Sequence, residues 1–289
     1  MKIVGHLFFL AYLAFSWYYA DERVFFADSA VHLFRIVNTE TFNIEAHRYS
    51  TVFAQFLPLA FIKAGASLHA VVKVFSFSYV LLYYVVFLIC VYVYKNMAAA
   101  WLLILSHILA IRLSIYHTVT ETHQALVYCS LFYAWIKHHN TIIIPGVWHR
   151  IQQILIGSLI LGIAFWAHPV AIITLFVVYV WSIHKKRTLV GFAKDTVVLA
   201  AILPLLLYKV TIATTSYESG FVSQIMEIPQ LLPHFNHLFS KWFFEYHFKH
   251  LYRPTLIVFI VSTLYLLWEK KWFSAVLYQV MVFGGLLFL

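Results

Sequence analysis

The sequence predicts an all-α, polytopic transmembrane bundle of about nine spans, and three observations carry that prediction. First, 63% of the 289 residues are hydrophobic and only 11% are charged, against about 25% charged in ordinary soluble domains. Second, the apolar residues fall in stretches long enough to cross a bilayer, which takes about 20 mainly apolar residues as a helix; mean hydropathy is +0.84. Third, the basic residues are distributed as membrane topology requires. A chain of 289 residues fits one such bundle, 1–289, as a single transmembrane domain.

The spans fall near 3–20, 70–94, 97–112, 122–137, 151–167, 169–184, 189–208, 253–268 and 272–289. The first doubles as an uncleaved insertion signal, because Tyr18 and Tyr19 lead straight into Asp21 without a small-residue cleavage site. With the N-terminus inside, the cytoplasmic segments hold Lys2, Lys95, Lys137, Arg150, Lys185, Lys186, Arg187, Lys194, Lys270 and Lys271, against two acids, Asp195 and Glu269. Lys/Arg bias in short loops sets orientation. The net charge of +9 is therefore topogenic, and a nucleic-acid partner is not expected. The other nine acids lie outside, mostly in two long loops, 20–69 and 209–252. Loops of that length carry function or are disordered, and these are rich in aromatics. The last stretch runs to Leu289 without a polar tail, as in a truncated reading frame. No internal repeat suggests a transporter built from two halves. Cys90 and Cys129 sit in apolar runs without metal or disulfide spacing.

The first external loop concentrates ionisable groups beside the membrane, where charge is costly and usually functional. Phe26, Ala30, Leu33, Phe34 and Val37 form one stripe at helical spacing. Asp28, His32, Arg35 and Thr39 fall on the opposite face. This predicts an amphipathic helix at the membrane surface, with Asp28 either as its N-cap or as a chemical group, and Arg35 paired with Asp28 or touching lipid headgroups. Asp21 and Glu22 flank the first span. A second apolar helix, 51–63, contains Pro58 and is stopped by Gly65.

A second cluster, Arg112, His117, Glu121 and His123, connects the third and fourth spans outside. Glu121 either complements a helix N-terminus or binds substrate. His117 and His123 are six apart, not the i, i+4 spacing that puts two metal ligands on one helical face. His168 precedes Pro169 at another external turn. In the late loop, 237–252 reads as an interfacial helix with basic and aromatic residues. A haem reading of the sixteen histidines needs paired imidazoles at depth, and most lie at span ends.

One span, a long external loop with an Asp-led helix, and many further spans together resemble the GT-C superfamily. These are membrane glycosyltransferases such as protein O-mannosyltransferases and lipid A aminoarabinose transferases. The residues carrying the likeness are Asp28, the helix through Val37, the turn Asn38 to Phe42, Arg48-Tyr49, and Phe56-Leu57-Pro58-Leu59. The usual acidic doublet reads Asp28-Ser29 here, while a true doublet, Asp21-Glu22, lies seven residues earlier. The resemblance implies sugar transfer from a polyprenyl-phosphate donor to an extracytoplasmic lipid, glycan or protein acceptor, in a bacterial inner membrane. It casts Asp28 as general base and Glu121 as the second acid. Arg35, His32, Arg48, Arg112 and His168 would bind substrate phosphate, with Asp21, Glu22, His117 and His123 as secondary candidates. It implies no obligatory cofactor, although some relatives use a divalent ion. The alternatives are a transporter or flippase of a lipid-linked substrate and a non-catalytic membrane fragment.

Overall fold

The computed structural model describes residues 2–26, 28–110, 115–141, 147–168, 253–272 and 274–276, with isolated positions between 171 and 245. The predicted spans 169–184, 189–208 and 272–289, and the late loop, lie largely outside the described residues. The chain divides into two compact units, Met1–Glu218 and Ser219–Leu289.

All regular structure among the described residues is helical. In the first unit, α1 (Lys2–Tyr18) and the short α2 (Ala20–Val24) precede α3 (Asp28–Thr39). A 3-10 turn, Tyr49–Thr51, opens α4 (Val52–Lys63). Next come α5 (Leu68–Leu88), extended by a π turn at Ile89–Val93, and α6 (Met97–Leu105), extended by another at Ser106–Ala110. α7 (Glu121–Thr141) and α8 (Val147–Phe165) complete the described helices of this unit. The second unit contains α9 (Arg253–Trp268).

Helix ends follow local chemistry. α4 runs through Pro58, which lacks the N–H that would bond the carbonyl four residues back. It stops where Gly65 takes φ +73°, a conformation that costs glycine little. Ser67 caps α5 by accepting from the Ala70 N–H at 3.3 Å, and Asn96 caps α6 by accepting from the Ala99 N–H at 3.0 Å.

α5 is the central helix, in contact with α1, α2, α4 and α7, and α7 also packs on α6 and α8. Phe9, Phe75, Tyr79, Phe87, Leu103 and Phe132 form the middle of the core. With its π turn, α5 spans Leu68–Val93, 26 residues of mean hydropathy 2.3, the one described helix long and apolar enough to cross a membrane. The other expected spans are shorter or more polar here. α1 ends at Tyr18, and α6 gives way to π geometry at Ser106. α7 begins with Glu121, His123 and Gln124 and carries Lys137 and His138 near its end.

The sequence placed Leu33, Phe34, Val37 and Phe26 on one apolar face, and the fold splits that stripe. α3 buries Ser29, His32, Leu33 and Ile36, while Phe34 is 65% and Phe26 45% exposed. The inward face is thus partly polar, because it meets the loop after α3 and the segment before α7 instead of a purely apolar core. His32, expected on the outer face with Asp28 and Arg35, points inward.

The α7–α8 interface depends on Gly157. A Cβ there would lie 2.2 Å from the Trp135 ring, and that ring is buried and stacked on Phe132. Gly157→Val is therefore expected to force the two helices apart, at about 1–3 kcal/mol of overpacking. A lower thermal midpoint of the full chain in detergent checks this.

Candidate functional site

The loop after α3 is built from unusual backbone. Glu40, Ala46 and His47 have φ of 50°, 47° and 59°, a region non-glycine residues rarely adopt and which clusters at functional sites. A reciprocal pair fixes the loop to α4: the Asn43 N–H donates to Gln55 Oε1 at 2.8 Å, and Gln55 Nε2 donates to the Asn43 carbonyl at 2.9 Å. Further along, the Ser50 hydroxyl donates to the Ile163 carbonyl. The Ser50 carbonyl accepts from Gln124 Nε2 at 3.0 Å and from the Tyr128 hydroxyl at 3.4 Å. The loop is thereby tied to α4, α7 and the end of α8.

These ties enclose a cavity of about 980 Å³ lined from three separated segments. Asp28, His32, Glu45, His47, Arg48 and Tyr49 come from the first loop; His117, Thr120, Glu121 and Thr122 from the start of α7 and the residues before it; His168 follows α8. Among the described residues, three carboxylates, one arginine and four histidines thus share one pocket.

Two of the carboxylates are neutralised. Glu121 pairs with Arg48, both side chains being mostly buried, at 11% and 14% exposed. Glu45 pairs with Arg35 on the outer side. Arg35 does not reach Asp28, contrary to one sequence expectation, because the loop folds Glu45 back over α3. Asp28, exposed in the first turn of α3, has no ion pair or side-chain hydrogen bond among the described residues.

His32 sits inside this network. The Asn43 side-chain amide donates to its Nδ1 at 2.7 Å, so the neutral ring carries its proton on Nε2, which lies 3.9 Å from Glu45. The same amide donates to Glu45 at 3.2 Å. Burial lowers the His32 pKa below 6.5, opposed by Glu45 and Asp28 and assisted by Arg35 and Arg48. The folded state then takes up a proton less readily than the unfolded chain. Stability is complete above pH 6.5 and falls as the pH drops through 6.5 towards the lower folded value. Acidification is therefore expected to lower the thermal midpoint, and His32→Asn, neutral at every pH, to flatten that acid-side loss. Burial likewise lowers the pKa of His117, with Asp28 raising it and Arg23 lowering it.

Of the sequence candidates, Asp28, His32, Arg48, His117, Glu121 and His168 meet in the cavity, and Arg35 supports it through Glu45. Asp21 and Glu22 are exposed on α2 and do not line it. His123 lies elsewhere: it is buried, with its ring centroid 3.7 Å from that of His107 and 5.1 Å from that of Tyr83. The first turns of α7 point it inward while Glu121 faces the cavity. Arg112 lies outside the described residues. Among those residues no three of His, Cys, Asp or Glu converge as a metal ion would need.

Sequence reasoning missed Glu45, Asn43 and His47, whose arrangement depends on the left-handed loop. It also missed Arg23, the largest fully buried side chain among the described residues. A basic residue just after the first expected span, at the end the charge bias expects to be external and poor in Lys and Arg, was the available signal. In comparisons with known proteins, no family model, no curated protein and no solved structure matches this chain.

Proposed function

We propose that this chain is a multi-pass membrane glycosyltransferase that moves a sugar from a polyprenyl-phosphate donor to an acceptor hydroxyl outside the cytoplasm. The observation that carries the reading is the state of the three pocket carboxylates. Glu45 and Glu121 are held by guanidinium groups, which leaves Asp28 as the carboxylate open to a substrate hydroxyl. A general base of this kind needs only hydrogen-bond reach of the proton it removes.

In the proposed step the acceptor oxygen attacks the sugar's anomeric carbon and its proton passes to Asp28. The bond from that carbon to the phosphate oxygen breaks, and the carrier leaves as a phosphate. Arg48, His117 and His168 share the cavity and would meet the charge growing on that phosphate. Tyr49 and Ile44 at the lining offer apolar surface to the sugar and the first carrier units.

Support for the membrane part comes from apolar surface. α1 exposes Ile3, Leu7, Leu10 and Trp17; α8 exposes Trp148, Leu155 and Leu159; α9 exposes Ile257, Val261, Leu264 and Trp268. Soluble proteins rarely expose such continuous stripes. The charge bias argues for a cytoplasmic N-terminus and, with the resemblance, for a bacterial inner membrane. The rival reading, a lipid-linked-sugar transporter, draws on the buried His107–His123 pair, since transporters use ionisable groups at depth.

The deciding experiment is incubation of vesicles containing the full chain with labelled polyprenyl-phosphate sugars. New labelled glycoconjugate supports the transferase. Label that crosses the bilayer still attached to its carrier supports the transporter instead.

A further inference from the structure

Arg23 is buried, 1% exposed, and its partners are unusual for a guanidinium. Nη1 donates to the Ser76 hydroxyl at 2.9 Å and to the Ser76 carbonyl at 3.4 Å. Nη2 donates to the His117 carbonyl at 3.4 Å, and the Tyr12 ring lies 5.3 Å from the guanidinium carbon. Ser76 in turn donates to the Ser16 carbonyl at 2.7 Å. Nε is buried with no hydrogen-bond partner, and among the described residues no carboxylate pairs with Arg23.

A neutral side chain could tie α1, α5 and the segment before α7 together without the desolvation cost of a buried charge. The charge itself therefore calls for a role, and its place suggests one. The segment that Arg23 holds forms one wall of the cavity. The Ser29 hydroxyl holds the same segment by accepting from the Val119 N–H at 3.0 Å, and the Phe26 ring packs edge-on to the His117 ring at 4.5 Å. Arg23, Phe26 and Ser29 thus bracket His117 from the stretch that runs through Asp28 into the first turn of α3.

We infer that Arg23 is the positioning residue of this pocket: from behind the wall it holds the His117 carbonyl and so fixes that imidazole beside Asp28. This rests on the reading of Asp28 as the base, since a cationic His117 would pair with Asp28 and weaken it as a proton acceptor. Burial is the main influence against protonation of His117; Asp28 favours protonation, and the Arg23 charge opposes it with the smallest effect of the three. Asp28 and Arg23 act on His117 directly; Glu45, Arg48, Glu121, His32, His47 and His168 share its cavity.

The test is the titration of His117 in the full chain in detergent, followed by NMR of labelled histidine and assigned by the signal lost in His117→Gln. Arg23→Gln is expected to move the His117 midpoint upward, and Arg23→Lys, which keeps the charge but not the fork, to move it less. The acid limb of the transfer rate should shift to higher pH in Arg23→Gln and return towards native in Arg23→Lys. An unchanged His117 midpoint in folded Arg23→Gln overturns the inference. Should Arg23→Gln fail to fold, Ser76→Ala takes its place: it leaves the charge and removes the hydroxyl that aims it, so a raised midpoint supports the inference and an unchanged one overturns it. The titration needs no turnover, so a chain that transfers no sugar yet shows the shift refutes the transferase reading and leaves the role of Arg23 intact.

Discussion

Asp28→Asn is expected to lower sugar transfer by about 10²–10⁴-fold, the usual contribution of a positioned general base, while leaving the fold intact. Asparagine has nearly the shape of aspartate and also suits a helix start, and Asp28 makes no ion pair among the described residues whose loss would loosen α3. An unchanged thermal midpoint alongside the lost rate would locate the defect in chemistry. Asp21→Asn separates the two acid candidates of the sequence, since Asp21 is exposed on α2 and outside the cavity. Its transfer rate is expected to match the native rate. A rate lost in Asp21→Asn and kept in Asp28→Asn would move the base to the doublet.

Arg48→Met is the variant expected to cost the most stability. Arg48 and Glu121 are mostly buried, so removing the arginine leaves a carboxylate without its counter-charge. Breaking a buried pair in this way costs about 3–5 kcal/mol, whereas replacing both members is often close to neutral. Arg48→Met/Glu121→Gln should therefore recover much of the loss, and melting of both single variants and the double variant gives the coupling directly. Transfer should stay low in the double variant even as stability returns, because the cation proposed to meet the phosphate is gone. Additive losses in melting would mean that the pair contributes nothing by itself.

The helices were legible wherever a single physical signal dominated. The apolar run expected at 70–94 is Leu68–Val93, and the one expected at 253–268 is Arg253–Trp268. The Asp-led helix, read from the sequence as Asp28 through Val37, begins at Asp28 and runs two residues further, to Thr39. Its orientation was not legible. A 3.6-residue period identifies two faces without saying which is covered, and the covering loop is held by Asn43 and Gln55, partners twelve residues apart with no sequence signature.

The same holds for the site. The polar residues near span ends were visible, and six of them meet in one cavity. Their pairing was not visible: Glu45 reaches Arg35 only because non-glycine residues at 40, 46 and 47 adopt positive φ, which composition does not announce. His123, two residues on from Glu121, faces the opposite side of α7, because a helix turns once in about 3.6 residues, and joins His107 in the core.

The most direct test of the central claim is transfer from a panel of labelled polyprenyl-phosphate sugars, measured side by side for the native chain and Asp28→Asn at equal protein level in vesicles. A transferase with Asp28 as its base gives labelled product from at least one donor with the native chain and at most a trace with Asp28→Asn. Equal product from both, or none from any donor, would contradict it.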